Sequence, residues 1–203
     1  DTSVTGVQTC ALPIWLNGSC LKESFEIDSS VTLTGTNQAA EIYNQRKFDS
    51  LKGEEVIYSG KFDGKFELAD KNLPAPQQLR LKIGAQVMVT RNQPSAANGT
   101  ICRVVHLDPK KIQLERIDDG NVLTLRKAKW EQVEYNLSPQ KYEIEATVSG
   151  VYTQFPLTLG WAVTIHKSQG LTIDSILLDL GNRAFASGQA YVGLSRCPSV
   201  SNV

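Results

Sequence analysis

The 203-residue sequence predicts an α/β domain interrupted by an inserted all-β segment. Three observations carry that expectation. A strand, a capped turn and a helix follow one another over residues 31–53, which is half of a βαβ unit. Short β-rich runs broken by turn residues then fill the chain from Leu79, the pattern of a small antiparallel barrel. The α/β pattern returns at Phe155, so the outer pieces belong together around the insertion.

The elements follow in order. Val31–Thr34 alternates β-branched residues and reads as a strand. Asn37 is the expected N-cap of a helix whose apolar side carries Ala39, Ile42, Tyr43, Phe48 and Leu51, and which Gly53 ends. A short strand is expected over Glu55–Ser59, then a polar stretch from Gly60 to Asn72 leading to a linker at Pro74 and Pro76. LRLKIGAQVMVTRN (79–92), GTICRVVHLD (99–108), KIQLERI (111–117) and VLTLRKA (122–128) are the β runs, with a hairpin turn at Asp118-Asp119-Gly120-Asn121. Trp130–Tyr135 and Tyr142–Val148 continue the barrel or form a linking ribbon. Leu159, Ala162, Val163 and His166 fall at i, i+3, i+4 and i+7, which favours a helix over residues 158–167; the β-branched residues leave a strand as the alternative. Ser175–Leu180 reads as a buried parallel strand, and Ser187–Leu194 as a short helix carrying Tyr191 and Leu194 on one side.

A hydrophobic content of 41% with 21% charged residues excludes a wholly disordered chain. The formal charge is zero, yet residues 79–129 carry a net +6 and the remainder −6. The zero overall charge gives no reason to invoke nucleic acid or an anionic membrane, but a basic middle inside an acidic frame is a usable clue. Cys10, Cys20, Cys102 and Cys197 form no CxxC pair, and the two histidines are His106 and His166. That spacing suits neither a disulfide framework nor zinc, so no metal site is expected. Cys102 and Cys197 read as small core residues and His106 as a surface position. No apolar run approaches the roughly 18 residues that span a bilayer, so a reduced, soluble, intracellular location is expected. Val4–Ile14 resembles the translation of a sequencing-library adapter. Residues 1–14 are therefore set aside, with a true start expected near Trp15.

Two segments carry chemistry. In Thr164-Ile-His-Lys-Ser-Gln-Gly170, the side chains of Thr164, His166, Lys167 and Ser168 can donate to a phosphate backbone, and Gly170 permits a turn with exposed N–H groups. In Ala186–Arg196, a short helix is followed by Ser195-Arg196. A fixed guanidinium there could reach a nucleotide phosphate bound elsewhere.

TIHKSQGLT (164–172) followed by GQAYVGLSR (188–196) resembles motifs V and VI of superfamily-one helicases, and is close to the Pif-type 5′-to-3′ family within the wider RecD-like group. VTLTGTNQAAEIYN (31–44) with GEEVIYSG (53–60) is similar to the family's motif IV region. LRLKIGAQVMVTRN with NGTICRVV (98–105) is similar to the strand pair opening its inserted barrel. The resemblance implies a RecA-like parallel sheet domain, the second of the motor, interrupted by a small antiparallel SH3-like β-barrel. Residues 15–78 and 151–203 would form the RecA-like part, and residues 79–150 the barrel and its connecting ribbon. Thr164, His166, Lys167 and Ser168 would contact single-stranded DNA. Gln169 and Gly170 would line the nucleotide cleft, Arg196 would be the arginine finger, and Gln189 and Tyr191 would pack its helix.

The sequence lacks a P-loop of the form G-x-x-x-x-G-K-[ST]. Gly53…Gly60-Lys61 has the wrong spacing, with Phe62 where a hydroxyl is required. No strand ends in a paired Asp-Glu suited to Mg²⁺. The expectation is a helicase piece truncated at both ends and inactive alone, whose ATP and Mg²⁺ are held mainly by a missing N-terminal RecA-like domain. Such an enzyme would serve DNA repair, recombination or telomere maintenance, in the nucleus or mitochondrion of a eukaryote or the cytoplasm of a bacterium. No membrane and no obligate oligomer are implied. The alternative is a standalone nucleic-acid-binding module built on the basic segment 79–129; exposed aromatics for base stacking are missing from it, Trp130 lying just beyond.

Overall fold

The computed structural model describes residues 30–66, 73–137, 144–173, 175–181 and 188–197. Expectations for the N-terminal segment and for residues 182–187 lie outside them. Thirteen strands, β1 to β13, and two helices, α1 and α2, make up these residues.

Strand β1 (Val31–Thr34) is central in a three-stranded sheet, between β12 (Ala162–Thr164) and β13 (Ile176–Asp179). Both pairings are parallel, with Leu33 facing Val163 on one side and Leu178 on the other. Helix α1 (Asn37–Ser50) follows β1. Its N-cap is Thr36 rather than Asn37: Thr36 is extended and its hydroxyl accepts from the Ala39 N–H at 3.1 Å. The buried face of α1 is Ala40, Asn44 and Phe48, a strict i, i+4, i+8 stripe. Ile42, expected on the apolar side, is 56% exposed; the helix packs on β12 and β1 through the other stripe. Lys82 closes the far end, donating to the carbonyls of Phe48 at 3.2 Å and Leu51 at 3.0 Å. A cation there also suits the helix dipole.

The middle of the chain is antiparallel. Strands β5 (Gln86–Val89), β6 (Ile101–Leu107), β7 (Lys111–Arg116) and β8 (Val122–Arg126) run in order, and β11 (Leu157–Leu159) joins the edge at β5. The β7–β8 turn is the expected one, with Gly120 at φ +69° and the Asn121 N–H bonded to the Asp119 carboxylate. Strict alternation builds the core: Ile112, Leu114, Leu123 and Leu125 point inward to meet Val87, Cys102, Val104, Phe155 and Leu157. Each such side chain contributes about 1.5–3 kcal/mol on burial. Strand β4 (Gln78–Leu81) pairs with β2 (Val56–Ser59), not with β5.

Strands β9 (Ala128–Leu137) and β10 (Ile144–Gln154) form the long ribbon, with β3 (Lys61–Gly64) on the other edge of β10. Phe62, Tyr152 and Trp130 stand in register across the three strands, and their rings stack at 4.7 and 5.7 Å.

The helix favoured over residues 158–167 does not form. The chain instead makes β11, β12 and a turn. Thr158, Val163, Thr164 and Ile165 are β-branched and suit strands. Gly160 passes so close to β5 that an added Cβ would sit 2.8 Å from Met88 N and Val87 C. A helix has no room there. Gln86 secures the crossing, donating to Gly160 O at 3.0 Å and Ser30 O at 3.3 Å, while Met88 packs into the core of the parallel sheet.

Candidate functional site

Ligands of parallel sheets gather at the carboxyl ends of the strands, and the Thr164–Gly170 segment turns at that end of β12. The Ile165 N–H still bonds to Thr34 O at 3.0 Å, so the register of β1 carries into the turn. Ser168 N–H donates to Thr164 O at 3.1 Å, Gln169 N–H to His166 O at 3.2 Å and Leu171 N–H to Ser168 O at 3.0 Å. Gly170, at φ +77°, reverses the chain in the left-handed region that glycine enters without strain.

The structure separates the four residues expected at a strand backbone. Thr164 is buried, and its hydroxyl accepts from the Lys167 N–H at 3.4 Å. Ser168 is fully buried, and its hydroxyl donates to Ile165 O at 2.8 Å. Both hydroxyls are occupied in shaping the turn. His166 and Lys167 are exposed, as are Gln169 and Gly170.

Sequence reasoning missed Asn44. Its amide is 6% exposed and grips the main chain of Ala162 twice: Nδ2 donates to Ala162 O at 2.8 Å, and Ala162 N–H donates to Oδ1 at 2.8 Å. Strand β12 is a sheet edge, and Asn44 satisfies the edge as a further strand would. The available signal was a polar residue four positions from both Ala40 and Phe48, on the stripe that proves buried.

Helix α2 (Gln189–Leu194) lies against β13. Gly193 permits the approach, since a Cβ there would meet Leu178 Cδ1 at 2.7 Å. Gln189 is buried. Tyr191, expected to pack the helix with it, is 68% exposed: the helix turns Gln189 and Gly193 inward instead. Arg196 is half-buried at the helix end. Its Nε donates to Val192 O at 3.1 Å and its Nη2 to Ser195 Oγ at 2.8 Å. Its carbonyl accepts from the Ile173 N–H at 2.9 Å. That bond ties the end of α2 to the segment leaving the turn, and both contribute to one apolar cluster through Ile165, Ile173 and Val192.

Beside the turn, a cleft of about 600 Å³ is lined by Asn98, Gly99, Arg116, Gly170, Leu171 and Thr172 among others. Gly99, at φ +88°, packs on Leu171, and a Cβ would come within 2.5 Å of it. Arg116 is engaged by Asp118 and Asp119. Burial pushes the Cys102 thiol up to about 12, which keeps it protonated and unreactive at neutral pH. Among the described residues no group of three or more His, Cys, Asp or Glu could hold a metal ion. No described helix is long and apolar enough to cross a membrane.

Known proteins resemble this chain in sequence and fold. The family described as DNA helicase Pif1, 2B domain, matches residues 67–107. The ATP-dependent DNA helicase Pif1 of Bdellovibrio bacteriovorus is 35% identical over 170 residues, covering 81% of this chain and 36% of that protein. Unliganded Pif1 from Bacteroides sp. superposes with a TM-score of 0.78 at 32% identity, over 86% of this chain and 40% of that one. A Bacteroides Pif1 helicase in complex with ADP-AlF3 and ssDNA gives 0.71 at 30% identity, over 96% of this chain and 44% of that one. The chain thus spans under half the length of these proteins. Over the part it spans, corresponding to their C-terminal region, the chain belongs to the Pif1-type helicase family.

Proposed function

We propose that this chain is the C-terminal part of an ATP-dependent 5′-to-3′ DNA helicase, supplying a single-strand grip and an arginine finger to a motor whose P-loop lies in another domain. In this reading β1, β12, β13 and their helices belong to a second RecA-like domain formed by residues 15–78 and 151–203. Residues 79–150 are its SH3-like insertion and ribbon. Support comes from relatives named as ATP-dependent DNA helicases and from a similar structure that holds ADP-AlF3 and ssDNA.

The observation that carries the reading is the division of labour in the turn. Thr164 and Ser168 brace the backbone from inside, while His166 and Lys167 are left exposed at the end of β12. A cation and an imidazole on a braced turn hold a phosphate without reading bases. Thr164 and Ser168 act on the strand through the turn they shape. Gln169, Gly170 and Arg196 face a nucleotide cleft that a P-loop domain closes from the other side. ATP bound there, with its Mg²⁺, supplies the free energy that moves the strand. Arg196, whose guanidinium bonds Val192 O and Ser195 Oγ, would supply positive charge to a nucleotide phosphate held in that cleft. Gln189 and Gly193 seat α2 so that this arginine starts from a fixed position.

The test is fluorescence anisotropy of this chain with labelled oligo-dT at rising salt. Affinity is expected to fall with salt as counterions are released. Lys167→Ala should weaken binding and lower the salt slope by about one. Equal binding at low and high salt overturns the reading.

A further inference from the structure

We infer that Leu171, seated on Gly99 of the inserted sheet, is a positioning residue for the Lys167 turn, so that the insertion sets the geometry of the single-strand grip. That role rests on the reading of the turn as the grip, and adds the element that holds it in place.

The bonds of the turn shape it without fixing where it stands. After the Ile165 N–H bond to Thr34 O, those made among the described residues from Lys167 to Leu171 stay within residues 164–171. Packing must place the turn. His166, Lys167, Gln169 and Gly170 are exposed. The side chains left to anchor it are Ser168, already bonded to Ile165 O, and Leu171. Leu171 enters the apolar cluster that holds Ile165 and Ile173 together with Met88 and Ile101, and the last two belong to the insertion.

There the leucine meets bare main chain. Gly99 is buried, and a Cβ on it would lie 2.5 Å from Leu171 Cδ2 and 2.9 Å from Cδ1. The floor of this seat is fixed by its own bonds. Gly99 N–H donates to Val89 O at 2.8 Å, and Val89 N–H to Thr100 O at 3.0 Å, which ties the loop to β5. Within the loop, Asn98 N–H donates to Asn92 Oδ1 at 2.7 Å and the Thr100 hydroxyl to Ala97 O at 2.8 Å. Gln93 and Ala96 exchange backbone bonds at 2.8 and 3.2 Å. A loop so braced moves with β5 and not by itself.

The insertion thereby holds residues 160–171 at both ends. At the entry, Gly160 N–H donates to Gln86 O at 2.9 Å and Gln86 Nε2 to Gly160 O at 3.0 Å. At the exit, Gly99 lies under Leu171. Both contacts come from β5 and the loop that follows it, so one element brackets β12 and the turn. Emptying the leucine's seat leaves a cavity that its surroundings fill only in part. The turn, with no other large side chain to anchor its exit, takes up the slack and carries Lys167 with it.

The experiment is anisotropy with labelled oligo-dT across a salt series, on this chain and its variants below their melting temperatures. Leu171→Ala should weaken binding and lower the salt slope by about one, as loss of the Lys167 phosphate contact does. In a Lys167→Ala background it should cost less than about twofold, since the two changes remove one interaction. Leu171→Met, close in volume, should restore affinity and slope. Gly99→Ala should weaken binding in the parent, yet by less than about twofold beside Leu171→Ala. The strain of alanine at φ +88° is common to both arms and cancels. If Leu171→Ala does not fold, Leu171→Val takes its place with the same signs. Parental affinity and slope in the folded variant overturn the positioning role, as does a loss that adds fully to that of Lys167→Ala. Hydrogen exchange of this chain without DNA gives a readout independent of the grip. The Ser168, Gln169 and Leu171 amides should exchange faster in Leu171→Ala, with Ile112–Leu114 unchanged. Exchange unchanged at the turn, or raised equally at both places, overturns the role too. If Lys167→Ala binds like the parent, the single-strand grip fails, and exchange alone decides whether Leu171 positions the turn.

Discussion

The two halves of this molecule use polar residues in opposite ways. Around the parallel sheet, polar side chains turn inward and hold main chain: Asn44 on Ala162, Ser168 on Ile165, Thr164 on Lys167. In the antiparallel sheet the core is built from apolar side chains and most polar ones stand outside, Gln86, buried where β5 meets Gly160, being an exception. Substitutions should therefore behave differently. A polar change in the first region disturbs the geometry of the turn. A charge change on the outside of the second leaves the fold alone.

The largest expected effect lies at Arg196. In an enzyme rebuilt by joining this chain to a P-loop domain of the family, Arg196→Ala should cut ATP turnover by orders of magnitude, within the about 10³–10⁵ seen for arginine fingers. Arg196→Lys should rescue little, since an ammonium lacks the planar fork. Single-strand affinity should hold, because the turn carries that contact. Phosphate release and anisotropy on the same preparation separate the two. Parental turnover from Arg196→Ala would place Arg196 among ordinary surface charges and remove the catalytic role from α2.

Next comes Asn44, where the inward-facing logic is most exposed to test. Asn44→Ala leaves the Ala162 N–H and C=O unpaired at a buried edge, and each such group costs about 1–3 kcal/mol. The melting temperature should fall clearly, and hydrogen exchange at Ala162–Ser168 should rise more than at Ile112–Leu114. Uniform exchange across both sheets would mean that Asn44 braces the whole chain and not the turn.

Asn44 also marks how far the sequence could be read. Strands with plain alternation, such as Lys111–Arg116 and Val122–Arg126, were legible because one face is buried and the turn between them has its own chemistry. The 158–167 segment was not. Its apolar spacing fits a helix, but the close passage of Gly160 over β5 is a tertiary fact that no local pattern contains. The site divides the same way. The Thr164–Gly170 motif could be found by its string, yet burial of Ser168 and exposure of Tyr191 depend on which side of a turn or short helix meets the sheet. The partner of Asn44 lies 118 residues away, and the aromatic row needs Phe62 to meet Tyr152 across a similar gap.

The smallest effect concerns the apolar half and appears only at high pH. Cys102 is fully buried between β5 and β7, and burial raises its thiol from about 9 to about 12. A folded value above the unfolded one means that the folded state holds the proton more tightly. Its contribution is complete below pH 9 and is lost as pH rises through 9 to 12. Stability at neutral pH should therefore be flat, with a decline that begins near pH 9. Cys102→Ala removes the titrating group, at the cost of a small cavity, and should flatten that decline relative to the parent. Denaturant midpoints measured at successive pH values compare the slopes, so the cavity cancels. Identical slopes in the two proteins would show that ionisation of the thiol contributes nothing.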